Sequence, residues 1–206
     1  MRAGTRRFEI AGPAGTLVCA ADDPVGEAPR GTAVLAHPHP LHGGTMDNKV
    51  VQTLARAFVQ LGWRALRFNF RGVGGSAGAW DEGRGEVDDL LAVVATGADA
   101  SQPLALGGFS FGGAMAARAA ACLADAGGTR PFPLVLVGPA VANFPAPPVS
   151  ESALVVHGEA DDVVPLAAVL DWARPQTLPV VVVPGVGHFF HGQLGVLKRI
   201  VVQACR

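Results

Sequence analysis

Charge is what this sequence has little of. Only 16% of its 206 residues are Asp, Glu, Lys or Arg, and they balance to a net −1 at pH 7. With no run of basic residues, the chain carries no electrostatic footprint for nucleic acid, which is not an expected partner. Cysteine is scarce too. Cys19, Cys122 and Cys205 are scattered and odd in number, with neither zinc-site nor disulfide-framework spacing, so a reducing compartment and a cytoplasmic location are expected. No apolar run approaches the roughly 18 residues of a membrane span, so no membrane partner is expected. The basic N-terminal stretch "MRAGTRRFEIAG" lacks the apolar segment of roughly 7–15 residues that a secretory signal needs after it.

Apolar residues, at 50% of the chain, argue against disorder, and the length suits one domain over residues 1–206. "RRFEIAG" and "GTLVCAA" read as a hairpin around Pro13, Ala14 and Gly15. From "GTAVLAHP" onward, compact apolar runs alternate with stretches of helical periodicity. In "DNKVVQTLARAFVQLG" residues 50, 51, 54, 58 and 61 are apolar, Asp47 can cap the start and Gly62 the end. "WRALRFNF", "PLALGGF", "PLVLVGPAV", "SALVVHG" and "PVVVVPG" read as strands. "GEVDDLLAVVATGA", "GGAMAARAAACLADAGG", "PLAAVLDWARP" and "HFFHGQLGVLKRIVVQA" read as helices. Continuous rather than alternating apolar strands imply an α/β fold: a mostly parallel sheet with helices on both faces.

Function in such a sheet collects at the carboxyl ends of the strands. There the chain places Gly108-Phe109-Ser110-Phe111-Gly112, the G-x-S-x-G pattern between a strand and a helix. A sharp strand-to-helix turn at Ser110 would bring the residues two before and two after it together, so both must be small. The turn lifts the hydroxyl above the sheet, and the helix behind it supplies a positive dipole end for an oxyanion. A serine hydroxyl needs a base. His188, directly after the Gly185-Val186-Gly187 turn that follows the last strand, is the candidate, while His191 falls inside the final expected helix. The base in turn needs a carboxylate, which "HGEADDVVP" offers as Glu159, Asp161 or Asp162. Activity is expected to fall on the acid side as the base takes up a proton.

On these motifs the sequence resembles a serine α/β-hydrolase. "HPHPLHGGTMDNKVV", "RFNFRGVGGSAG", "GGFSFGG", "HGEADDVVP" and "GVGHFF" stand in that family's order through nearly the whole chain. More narrowly it is similar to small bacterial hydrolases without a lid, related to dienelactone hydrolases, although those carry cysteine where this chain has Ser110. The resemblance implies the α/β-hydrolase fold with about eight strands and no cap domain. In the family pattern His-Gly-x-x-Asp-x-x-Val-Pro the acid falls on Asp161, with Asp162 the alternative. It implies an oxyanion hole from the N–H of Phe111 and one from "AHPHPLHGG". Pro38 and Pro40 have no N–H; His39 matches the family position, and Leu41 is the alternative. It also reads Arg71 as a buried ion-pair partner of Asp88 or Asp89.

Two further patterns are set aside. Gly72-x-Gly74-x-x-Ala77 imitates a dinucleotide fingerprint, but "GAWDEGRGE" follows it in place of an apolar helix face. His37, His39 and His42 share a proline-locked loop on which three imidazoles cannot readily face one ion. No metal and no cofactor is expected. The expected activity is hydrolysis of a small or medium carboxylic ester by Ser110, Asp161 and His188, with thioesterase, lactonase, peptidase or non-catalytic binding as alternatives. The expected partner is that small ester substrate, and the protein is expected to be a monomer or homodimer. Only 14 residues separate Gly138 from the strand near Ala153, and "PAVANFPAPPVSES" with its four prolines is too short and irregular to cover a site.

Overall fold

In this computed structural model, which describes residues 4–127 and 130–206, eight strands form one sheet in the order β1-β2-β4-β3-β5-β6-β7-β8. β1 (Arg6–Gly12) and β2 (Gly15–Asp22) are the expected hairpin, and β2 adds antiparallel to β4 (Arg64–Phe68). From β4 through β3 (Thr32–Ala36), β5 (Leu104–Phe109), β6 (Leu134–Val137), β7 (Leu154–Gly158) and β8 (Val180–Val183) every pairing is parallel. Every residue of β3, β5 and β6 is buried. Their unbroken apolar runs therefore reflect a sheet covered on both sides.

Two cores do the covering. On one face α1 (Lys49–Gln60) and α5 (Leu194–Ala204) lay Val51, Leu54, Phe58, Leu197 and Val201 against Leu35, Phe109 and Val156. On the other, α2 (Gly85–Gly97), α3 (Phe111–Asp125) and α4 (Leu166–Ala173) cover Val34, Leu106, Leu136 and Val155. α3 is rich in alanine because it runs close to the sheet: a Cβ on Gly112 would lie 2.5 Å from the His37 carbonyl oxygen. Buried apolar area of this kind is the main stabilising term, at about 25 cal/mol per Å².

Two local expectations change, and a third, left between two residues, is narrowed to one. Asn48, not Asp47, caps α1, its Oδ1 accepting from the Val50 N–H at 2.9 Å. Asp47 instead accepts from Arg7 at 2.7 Å and Arg67 at 3.2 Å. The last helix begins at Leu194, six residues later than its sequence suggested, because Phe190 and Gly192 take left-handed φ of 52° and 75° that no α-helix tolerates. His191 therefore lies in a turn. Arg71 meets Asp89 rather than Asp88, with Nη2 2.8 Å from Oδ1 and Nε 3.0 Å from Oδ2, and this buried fork fixes the turn after β4.

Residues 138–153, between β6 and β7, hold neither helix nor strand. Among the described residues no cap element covers the carboxyl edge of the sheet. No helix among them is long and apolar enough to cross a membrane.

Candidate active site

Ser110 occupies the junction of β5 and α3 with φ 56° and ψ −118°, left-handed backbone that costs a non-glycine residue about 1–3 kcal/mol. The surroundings hold it there. Its N–H donates to Val137 O at 2.9 Å, extending the β6 ladder, and its carbonyl accepts from Gly113 at 3.0 Å and Ala140 at 3.1 Å. The flanking glycines are there for space. A Cβ on Gly108 would overlap the Gly112 carbonyl, and one on Gly112 would sit on the Ala36–His37 backbone.

His188 and Asp161 meet at the same strand edge. The turn after β7 presents Asp161 and the turn after β8 presents His188, and His188 Nδ1 lies 2.7 Å from Asp161 Oδ2. Both side chains are almost fully buried, and the His188 ring packs on Phe109 with centroids 4.7 Å apart. Asp161 Oδ1 accepts from the Val163 and Val164 amides at 3.0 and 2.8 Å. Burial pushes this carboxyl up. Donation from His188 and from the Val164 and Val163 amides outweighs burial, and the group stays below the ordinary aspartate value. Asp162, the alternative, is exposed, and Glu159 is spent on the Gly185 N–H at 2.8 Å.

Ser110 and His188 line one cleft of about 290 Å³. His188 spends Nδ1 on Asp161, and among the described residues Ser110 Oγ makes no hydrogen bond. Of the two oxyanion candidates on the loop after β3, the Leu41 N–H is already used, donating to His39 Nδ1 at 3.2 Å. The N–H groups of His39 and Phe111 have no partner among the described residues. The His39 imidazole closes the loop and packs against Trp80, Phe111 and Phe144. Phe111, Phe144 and Phe189 line the cleft, while Phe109 is core.

The three histidines of that loop do not converge. His37 is fully buried and faces away, accepting from the Phe70 N–H at Nε2 (3.0 Å), so Nδ1 carries the proton given to Pro38 O at 2.6 Å. Burial drops its pKa to about 4, the Pro38 bond opposing only in part. No group of three or more metal-ligating side chains exists among the described residues. His37 carries no sequence signal of its role, and His157 only its place at the head of the His-Gly-x-x-Asp-x-x-Val-Pro pattern, because their partners are set by tertiary contacts.

Residues 29–153 match the family model described as serine aminopeptidase, S33. A solved α/β serine hydrolase homologue from Coxiella burnetii is 37% identical, with 100% of each chain covered and a TM-score of 0.83. The chain belongs to the α/β-hydrolase superfamily. An α/β serine hydrolase without lid from Xanthomonas campestris is 36% identical to this α/β-hydrolase, covering 99% of it and 94% of the Xanthomonas chain, with a TM-score of 0.85. An uncharacterized protein of Rickettsia prowazekii is 48% identical over 84 residues, a stretch that is 39% of this hydrolase and only 35% of that relative's length.

Proposed function

We propose that this α/β-hydrolase is a serine esterase that cleaves carboxylic esters of small or medium size through an acyl-enzyme. One observation carries the reading: the strained turn bearing Ser110 shares a cleft with an imidazole that is already 2.7 Å from a buried carboxylate. Ser110 Oγ attacks the ester carbonyl as its proton passes to His188 Nε2. The carbonyl oxygen becomes an oxyanion held by the N–H groups of Phe111 and His39, next to the N-terminal end of α3. Collapse breaks the bond to the alcohol, which leaves with the proton from His188. Water then repeats the sequence and releases the acid. Asp161 holds Nδ1 protonated, so Nε2 faces the nucleophile as a base, and it stabilises the imidazolium formed at each step. Three free cysteines fit a reducing, cytoplasmic setting.

The family description makes peptide-bond cleavage at an amino terminus the second reading. Such an enzyme must hold its substrate's ammonium group, and none of the described residues lining this cleft is Asp or Glu. A panel of p-nitrophenyl esters and aminoacyl p-nitroanilides separates the two. The esterase reading expects a burst of nitrophenol followed by turnover of short esters, both lost in Ser110→Ala. Anilide turnover exceeding ester turnover, or ester turnover surviving in Ser110→Ala, would reject it.

A further inference from the structure

His157 is a buried titratable side chain beside Asp161 that the mechanism leaves unused. It is the penultimate residue of β7 and is fully buried; its Nε2 donates to Val164 O at 2.9 Å and lies 3.4 Å from Asp161 Oδ2, a contact short of a hydrogen bond. Both are oxygens without a proton to give, so Nε2 carries the hydrogen. Nδ1 is buried and has no partner among the described residues, so it holds a bare lone pair rather than an unsatisfied N–H. The ring is thus a neutral donor with a fixed tautomer. Burial, the largest influence, also disfavours its charged form. Asp161 Oδ2 consequently stands between two imidazoles, with His188 Nδ1 at 2.7 Å on one side and His157 Nε2 at 3.4 Å on the other.

We propose that His157 is a positioning residue of the active site: its Nε2–H holds the Asp161–Val164 turn through Val164 O and sets the positive end of its N–H dipole near Oδ2, tempering the pull of Asp161 on His188 and so setting the acid edge of the enzyme's working pH range. A carboxylate oxygen that also faces the positive end of a nearby N–H dipole pulls less strongly on its hydrogen-bond donor. Removing the His157 donor leaves Asp161 a stronger partner for protonated His188. The base then holds its proton to higher pH, and the acid limb of the rate profile moves up. Asp161 and His188 are the titratable groups that face His157; Glu159, Asp162 and His191, on the adjoining turns, are exposed and screened by solvent. The inference rests on the triad reading above.

The test compares His157→Leu, which removes the donor, with His157→Gln, whose amide nitrogen can reach the same oxygens. The pH dependence of kcat/KM toward a short p-nitrophenyl ester is measured, together with the proton resonance on His188 Nδ1, which needs no turnover. In His157→Leu the acid limb should move up by roughly half a pH unit and plateau kcat fall about threefold, with the Nδ1 proton shifting downfield as its bond to Oδ2 tightens. His157→Gln should restore limb and resonance toward wild type. A histidine that merely fills space would lower stability and leave both where they were. An unmoved limb and resonance in His157→Leu, or equal displacement in both variants, overturns the proposal. If the wild type hydrolyses no ester, the esterase reading fails on its own, and the His188 resonance still decides the role of His157.

Discussion

Replacing Gly108 by alanine tests whether the turn that carries Ser110 depends on bare backbone. A Cβ there would overlap the Gly112 carbonyl and lie 2.7 Å from the Gly113 nitrogen, so only backbone can move to admit it. The same methyl at Gly107 would meet Leu35 Cδ2 and Val135 O at 3.1 Å, which shifts of a few tenths of an ångström relieve. Alanine also lowers the entropy of the unfolded chain, a gain of about 0.4–1 kcal/mol that offsets much of the strain at Gly107. Gly107→Ala should therefore lie within about 1 kcal/mol of wild type, whereas Gly108→Ala should lose about 3 kcal/mol or more. For a chain of this length that loss lowers Tm by roughly 6–12 °C. Displacing α3 should also slow ester turnover, since a shift of about 1 Å at a reacting group can cost about a hundredfold. Urea and thermal unfolding followed by circular dichroism, beside ester kinetics, read both effects. Equal stability and activity in the two variants would refute the steric account of the turn.

Asp161→Asn should reduce kcat by about 10⁴, by releasing the His188 tautomer, while exposed Asp162→Asn should change it less than about threefold; steady-state ester kinetics on both variants reverses the acid assignment if the order is opposite. Acid should destabilise the fold before the carboxylates titrate. His37 has a folded pKa of about 4 against 6.5 unfolded, so the unfolded state binds the extra proton; stability is fully present above about pH 6.5 and declines as pH falls toward 4, by about 3 kcal/mol from this residue. Urea midpoints between pH 7 and 4.5 should fall in wild type and fall less in His37→Gln; a flat wild-type profile contradicts the argument. With no cap between β6 and β7, short soluble esters should be hydrolysed below their solubility limit, without a jump in rate when an oil–water interface appears. Rate measurements across that limit check this, and interfacial activation would contradict it.

The sheet was legible because β3, β5 and β6 are buried on both faces, which forces continuous apolar runs that little else in a chain of this length explains. The convergence of Ser110, Asp161 and His188 on one strand edge was legible because each follows a strand within a few residues, where local spacing fixes place. What failed was decided elsewhere in the molecule. Asn48 and Asp47 are both good caps in isolation, and the pull of Arg7 and Arg67 on Asp47 settled which one caps α1. The start of α5 was hidden because nothing local announces that Phe190 will take a positive φ. That the His39 ring takes up the Leu41 N–H is a contact of side-chain geometry that the loop's sequence does not show. His37 reaches Phe70 across 33 residues of sequence, a contact that composition and periodicity cannot carry.

Labelling with a fluorophosphonate tests the central claim most directly, because the reagent bonds covalently only to a serine made nucleophilic by its surroundings. Intact-mass and peptide mapping should find one adduct per chain, on Ser110. Labelling should vanish in Ser110→Ala and slow by orders of magnitude in His188→Ala, with both variants folded by circular dichroism. No adduct on the folded wild type, or an adduct on another serine that persists in Ser110→Ala, would contradict the account.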